Sequence, residues 1–340
     1  MTLMANETED HETQYCFPAV NSSCIKTKHS TLESNVMYVF FSLLSVWTVF
    51  LNLLVIISIS HFKKLHTPTN LLILSLAVVD MLVGLIVMPV EAVKLIESCW
   101  YFGDIFCGLY SMFIGLLLSE SLCNLVLVAV DRYVAVCHPL AYPQQITTSR
   151  TSVIVCFSWF SSSVYNISFF THNRFFNPSS GKDSCYGQCP FFISLAWSVT
   201  DLILSFLVPC TLIITLYLRI FYVAHQHVRV INSVMKSRKH LTEGSARRKS
   251  ESKAALTLGI IVSVYLFCWI PYYIISVAGN TVLSSSTAKA LMWVLYCNSS
   301  LNPLVYAFFY SWFKKSVKHI LTLKIFQQAS ALLNITVDYH

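Results

Sequence analysis

Seven long apolar runs dominate the chain, at residues 36–60, 69–93, 104–137, 151–171, 191–222, 254–278 and 288–310. A soluble fold has no place to bury so many, whereas a bilayer core of ~30 Å accepts each as a helix of ~20 residues. Residues 109–130 show the fit. They are apolar apart from a few hydroxyls, Glu120 and Asn124, and at ~1.5 Å per residue they cover ~33 Å. Composition agrees, since only 11% of the chain is charged where a soluble domain has about 25%. The expected fold class is an all-α membrane protein, a seven-transmembrane helix bundle. A short amphipathic stretch at 312–323 follows the last run directly and reads as an eighth helix lying in the interface. The chain thus divides into an outer segment (1–35), the membrane domain (36–310) and an interfacial helix with an inner tail (311–340).

Basic residues set the orientation. With the first residues outside, 17 of the 23 lysines and arginines fall on the inner side: Lys63, Lys64, Arg132, Arg150, nine from Arg219 to Lys253 and four from Lys314 to Lys324. The positive-inside bias then gives a multi-pass plasma-membrane protein with an extracellular N-terminus. The acidic start has no signal-peptide core, so the first span is expected to act as the anchor. The basic excess faces the bilayer's inner surface, and no nucleic-acid partner is expected. Two glycosylation triplets, at Asn6 and Asn21, lie outside; those at Asn166, Asn298 and Asn334 fall in spans or on the inner side. Six outer cysteines (Cys16, Cys24, Cys99, Cys107, Cys185 and Cys189) face an oxidising compartment. A bridge from Cys107 to Cys189 would pin the loop before span 5 over the bundle, and Cys24 with Cys185 is a second candidate. Spacing alone leaves the connectivity open.

Polar groups inside the spans are costly and mark function. Asp80 lies in mid-span 2, with Asn52, Ser121, Asn298, Ser299 and Asn302 as expected neighbours. Together they could hold water or a sodium ion, or form a hydrogen-bonded core with no ion. Pro89, Pro209, Pro271 and Pro303 each remove a backbone donor within a span, as suits a bundle whose inner ends swing apart. No phosphate-binding loop, metal-ligand spacing or nucleophile elbow is present, so no enzyme is expected, and no internal repeat supports a transporter.

The chain resembles rhodopsin-like G-protein-coupled receptors through Asn52, the run Leu76 to Asp80, Trp100, Cys107, Asp131-Arg132-Tyr133, Trp159, Pro209, Tyr217, Cys268-Trp269-Ile270-Pro271 and Asn302-Pro303-Leu304-Val305-Tyr306. The stretch from Asn298 to Phe313, the paired Cys185 and Cys189, and Asn21 to Cys24 are similar to trace amine-associated receptors. That resemblance implies a heterotrimeric G protein as partner, a stimulatory olfactory-type G protein, cAMP and an olfactory role. It also implies a switch: Arg132, held by Asp131 and Glu251, is released toward Tyr217 and Tyr306 when span 6 moves. Tyr133, Trp269, Pro271, Asn302 and Pro303 complete that switch.

Amine receptors of this superfamily place an aspartate eighteen residues before that arginine, where this chain has Ile114. Asp201 in span 5 is the expected replacement, ~12 Å outward of Pro209 and ~14 Å into the span. No lysine or arginine lies nearby in sequence. A carboxylate at that depth needs either a ligand ammonium or a core hydroxyl. A largely fish-expanded subgroup of trace amine-associated receptors has its acid in span 5 in the same way. Glu91 in span 2 could serve as a second carboxylate for a diamine if it faces inward, and Glu120 reads as structural. Trp269, Tyr272, Tyr273, Trp293 and Tyr296 are expected to surround an organic cation, each aromatic face contributing ~0.5–2 kcal/mol. The missing span 3 acid also leaves a non-amine ligand, peptide or lipid, as an alternative. A retinal receptor is excluded, because span 7 has no lysine between Ala290 and Tyr310.

Overall fold

The computed structural model describes residues 14–27, 29–172, 185–189, 195–235, 259–260, 263–273, 285–327 and 330–333. Asn6 and Glu251, and most of the inner basic loop, lie outside the described residues.

Helix α1 (Thr31–His61) starts where the Ser30 hydroxyl accepts the Glu33 amide at 3.1 Å. Helix α2 (Pro68–Glu97) starts at Thr67, with Pro68 pre-set in the first turn. Helix α3 covers Gly103–Cys137 and α4 covers Thr148–His172. Helix α5 spans residues 195–235, and residues 259–260 and 263–273 form the described parts of α6. Helix α7 is Ser285–Phe309, and α8 is Ser311–Leu321. Five of these, α1 to α5, are long and apolar enough to cross a membrane. Helix α7 matches α4 in length, but Asn298, Ser299, Ser300 and Asn302 dilute its apolar character.

Helix α3 is the hub and packs against α2, α4 and α5, while α1 lies against α2 and α7. One apolar core runs through the inner half, from Leu54 and Leu76 past Leu125 to Tyr217 and Tyr306. Two of the prolines act through a wider turn. A π turn at Val83–Val87 precedes Pro89, and another at Ile203–Leu207 precedes Pro209. Proline cannot donate, and its ring crowds the carbonyl four residues back. Widening the turn by one residue relieves both problems.

Disulfides cover the outer face. Cys107–Cys189 and Cys24–Cys185 form the two expected bridges, and Cys16–Cys99 adds a third that spacing did not single out. The N-terminal segment folds on itself through Cys16 N–H to the Cys24 carbonyl (2.8 Å), then exchanges backbone bonds with Tyr186. Gly187 makes this approach possible. Its φ of 98° suits glycine, and a Cβ there would meet the Phe17 ring at 3.0 Å. Lys26 forms an ion pair with Glu97, which also accepts from Tyr38 at 2.9 Å.

Candidate functional site

Asp201 sits two residues before the π turn of α5, and that position decides where it points. A π turn inserts one residue, which rotates everything outward of it by about 100°. Asp201 thereby faces α4, where the Tyr165 hydroxyl donates to its Oδ1 at 2.8 Å. Ser205 donates in turn to the Tyr165 oxygen at 3.3 Å. Among the described residues, no cation and no donor reaches Asp201 Oδ2. The carboxylate lines a small cavity of about 60 Å³ with Trp269, Tyr272 and Tyr273 of α6. Phe169 and Phe170 of α4 and Gly115 and Ser119 of α3 also line it. Trp269 and Tyr273 stack with ring centroids 6.0 Å apart, and Phe206 lies 4.4 Å from Tyr273. A larger hollow of about 420 Å³ between α2, α3 and α4 has no charged side chain in its lining, so it offers a cation no partner.

The expected ligand set divides in two. Asp201, Trp269, Tyr272 and Tyr273 share the cavity, whereas Ile114, Glu91, Trp293 and Tyr296 lie toward α2 and α7. Trp293 stacks on Phe41 of α1 at 3.9 Å and packs with Tyr296, Val87, Met88 and Ile114. Glu91 faces inward and accepts from the buried Tyr110 hydroxyl at 3.3 Å, but Lys94 also reaches it at 3.4 Å.

A second polar centre lies deeper. Asn302 donates to Asp80 Oδ2 at 2.8 Å, with Ser299 alongside. Asn52 donates to the Ser299 carbonyl at 2.9 Å, joining α1 to α7. Ser121 is buried in α3. Asp80 Oδ1, Asn52 Oδ1 and Asn298 Oδ1 are buried with no donor among the described residues. Orphaned oxygens and one carboxylate are the ligand type that a hard cation takes, so the residues fit a sodium ion.

At the inner end, Asp131 accepts from Thr69 (2.8 Å), Tyr142 (2.8 Å) and Arg132 Nε (2.9 Å). Arg132 also bonds Thr69 through Nη2. Tyr133 meets His138 edge-on, and Tyr217 and Tyr306 are buried.

Residues 51–306 match the family model described as 7 transmembrane receptor (rhodopsin family). The chain is 40% identical over 329 residues to trace amine-associated receptor 13c of Danio rerio, covering 95% of this chain and 96% of that one. It is also similar to trace amine-associated receptors 7a and 9 of Rattus norvegicus, at 39% over 332 and 40% over 334 residues. Those matches cover 95% of this chain, and 92% and 97% of the relatives. The chain belongs to the trace amine-associated receptor family.

It is therefore a rhodopsin-like seven-transmembrane receptor of the plasma membrane, and its family is one of receptors rather than enzymes. Sequence reading of this receptor missed Tyr165, Asn166, Thr69 and Tyr142. The first two stand among the many hydroxyl-bearing residues of α4, and nothing in the spacing sets them apart. The last two become partners of Asp131 only when loop and helix ends meet. Glu120, expected to be structural, is fully buried and accepts from Ser158 (2.7 Å), Ser162 (3.2 Å) and Asn124 (3.2 Å).

Proposed function

We propose that this receptor senses a small organic amine whose ammonium pairs with Asp201, and that it signals through a stimulatory G protein and cAMP in an olfactory setting. The observation that carries this reading is the Asp201 carboxylate. It lines a small, partly open aromatic cavity with one oxygen held by Tyr165 and the other without a partner among the described residues. The carboxylate is half-buried and keeps one oxygen open to the cavity, so an ammonium that enters gains an ion pair and aromatic faces at once. The names of the relatives point the same way.

Tyr165 orients the carboxylate, and Trp269 and Tyr273 stack beside it. Trp269 Nε1 is buried without an acceptor among the described residues, so a shift of the ring toward a partner links cavity filling to movement of α6 around Pro271. Inward of this, Asp80, Ser121, Asn298 and Ser299 would hold sodium, whose charge would balance the Asp80 carboxylate. Arg132, locked on Asp131 and Thr69, is the group released for the G protein, with Tyr217, Asn302, Pro303 and Tyr306 rearranging beside it. Glu251 is assigned as the α6 partner of Arg132. Glu91, with Tyr296 and Trp293 near it, would take the second ammonium of a diamine only by displacing Lys94. Asn21 is exposed and, with Asn6, is assigned to carry glycan.

The test is a cAMP reporter response of the full-length receptor to an amine panel. Asp201→Asn should lower potency by at least tenfold at unchanged surface level, since a charged hydrogen-bonded contact is worth about 1.5–3 kcal/mol. An unchanged dose curve removes Asp201 from the site.

A further inference from the structure

The side chain of Asn166 reaches from α4 toward α3 at Gly115, where α3 has no side chain in its way. A Cβ on Gly115 would overlap Asn166 Oδ1. The Asn166 amide nitrogen donates to the Ser162 carbonyl at 2.8 Å and to the Ser119 hydroxyl at 3.0 Å. Both amide protons are thus committed, which fixes the orientation of the amide. Its oxygen is left with no donor among the described residues. Asn166 is 4% exposed and stands in the wall between the larger hollow and the cavity lined by Asp201, Ser119 and Ser205.

We propose that Asn166 is the second acceptor for the ligand ammonium, and that this cavity is matched to primary amines. The proposal rests on the reading of Asp201 as the ammonium anchor. A primary ammonium carries three N–H donors, and the cavity wall presents acceptors to match. These are Asp201 Oδ2, Asn166 Oδ1, and the hydroxyl oxygens of Ser119 and Ser205, whose positions are set by Asn166 and Tyr165. Each N-methyl replaces a donor with a group that cannot bond. A dimethylated amine keeps one N–H for Asp201 and presses a methyl on the amide oxygen, which is then desolvated without a partner. That loss is what a polar site uses to reject an analogue. Gly115 is part of the device, because any side chain there would push the amide out of the wall.

The experiment uses the full-length receptor at the cell surface with a cAMP reporter. The probes are primary alkylamines of two to ten carbons and their N,N-dimethyl derivatives. Wild type is expected to favour the primary amine of its best chain length by about 10- to 100-fold. Asn166→Ala should bring that ratio close to one, chiefly by weakening the primary amine, and Gly115→Ala should do the same by displacing the amide. A ratio in both variants equal to that of wild type, with Asp201→Asn silencing both amine classes, overturns the Asn166 role and leaves the anchor standing. Full responses in Asp201→Asn overturn the anchor, and this proposal with it. A wild type that prefers the dimethyl series, or answers none of the panel, overturns it without any variant.

Discussion

Asp131 and Arg132 are adjacent in sequence, yet what holds them comes from elsewhere. Thr69 at the start of α2 donates to Asp131 and accepts from Arg132, and Tyr142 donates to the other carboxylate oxygen. One hydroxyl therefore serves both members of the pair. Thr69→Val keeps the shape and removes that hydroxyl, a change of about 1 kcal/mol per bond. Ligand-independent cAMP should rise about two- to fivefold at equal surface level, and an unchanged baseline would show that Thr69 does not hold the resting state. Residues of this kind differ in how far sequence reveals them. Asp201 stands out because a lone carboxylate in an apolar run has few innocent explanations. Thr69 and Tyr142 carry no such signal. Their meaning arises from a contact 62 or 11 positions away, and threonine or tyrosine near a membrane edge is common.

At the scale of single helices, the spans were legible because hydropathy alone sets them. The ends moved by a few residues where polar caps such as Ser30 and Thr67 extend a helix past its apolar stretch. Helix α5 runs on to Met235, well past residue 222, since water at the membrane edge does not stop a helix. The prolines were visible, but their effect was not. Whether Pro209 yields a kink or a π turn depends on how the Ser205 carbonyl is accommodated, and the turn at Ile203–Leu207 rotates Asp201 onto Tyr165. Counting along a regular helix places Asp201 at the right depth on the wrong face. Pro209→Ala restores a donor and lets the turn tighten. Amine potency should then fall at least tenfold while surface expression stays within about twofold. Retained potency would mean that packing against α3, not the proline, maintains the turn.

For the molecule as a whole, the bridges Cys16–Cys99, Cys24–Cys185 and Cys107–Cys189 tie the N-terminal segment, the end of α2, the top of α3 and the outer loop into one unit. The first closes a loop of 83 residues, and constraints of this length are worth about 2–4 kcal/mol. Receptor carrying Cys16→Ser and Cys99→Ser, purified in detergent, should melt about 5–10 °C lower by scanning fluorimetry. Its amine potency should be little changed, because the Asp201 cavity touches neither cysteine. A melting point equal to wild type would show that the other two bridges already bear the constraint. The cysteines were readable as a group, but the third pair was not, since six thiols allow many pairings and only the folded N-terminal segment brings Cys16 to Cys99.

All six bridged sulfurs belong to one rim, while the free thiols of the described residues lie within the helices or toward the other rim. Mechanically, the bundle is clamped at its mouth and unclamped at its foot. A body fixed at one end answers a small push near the fixture with a larger sweep at the far end. The energy released by seating a guest beside the clamp can therefore leave only downward, along helices that have nothing covalent to stop them.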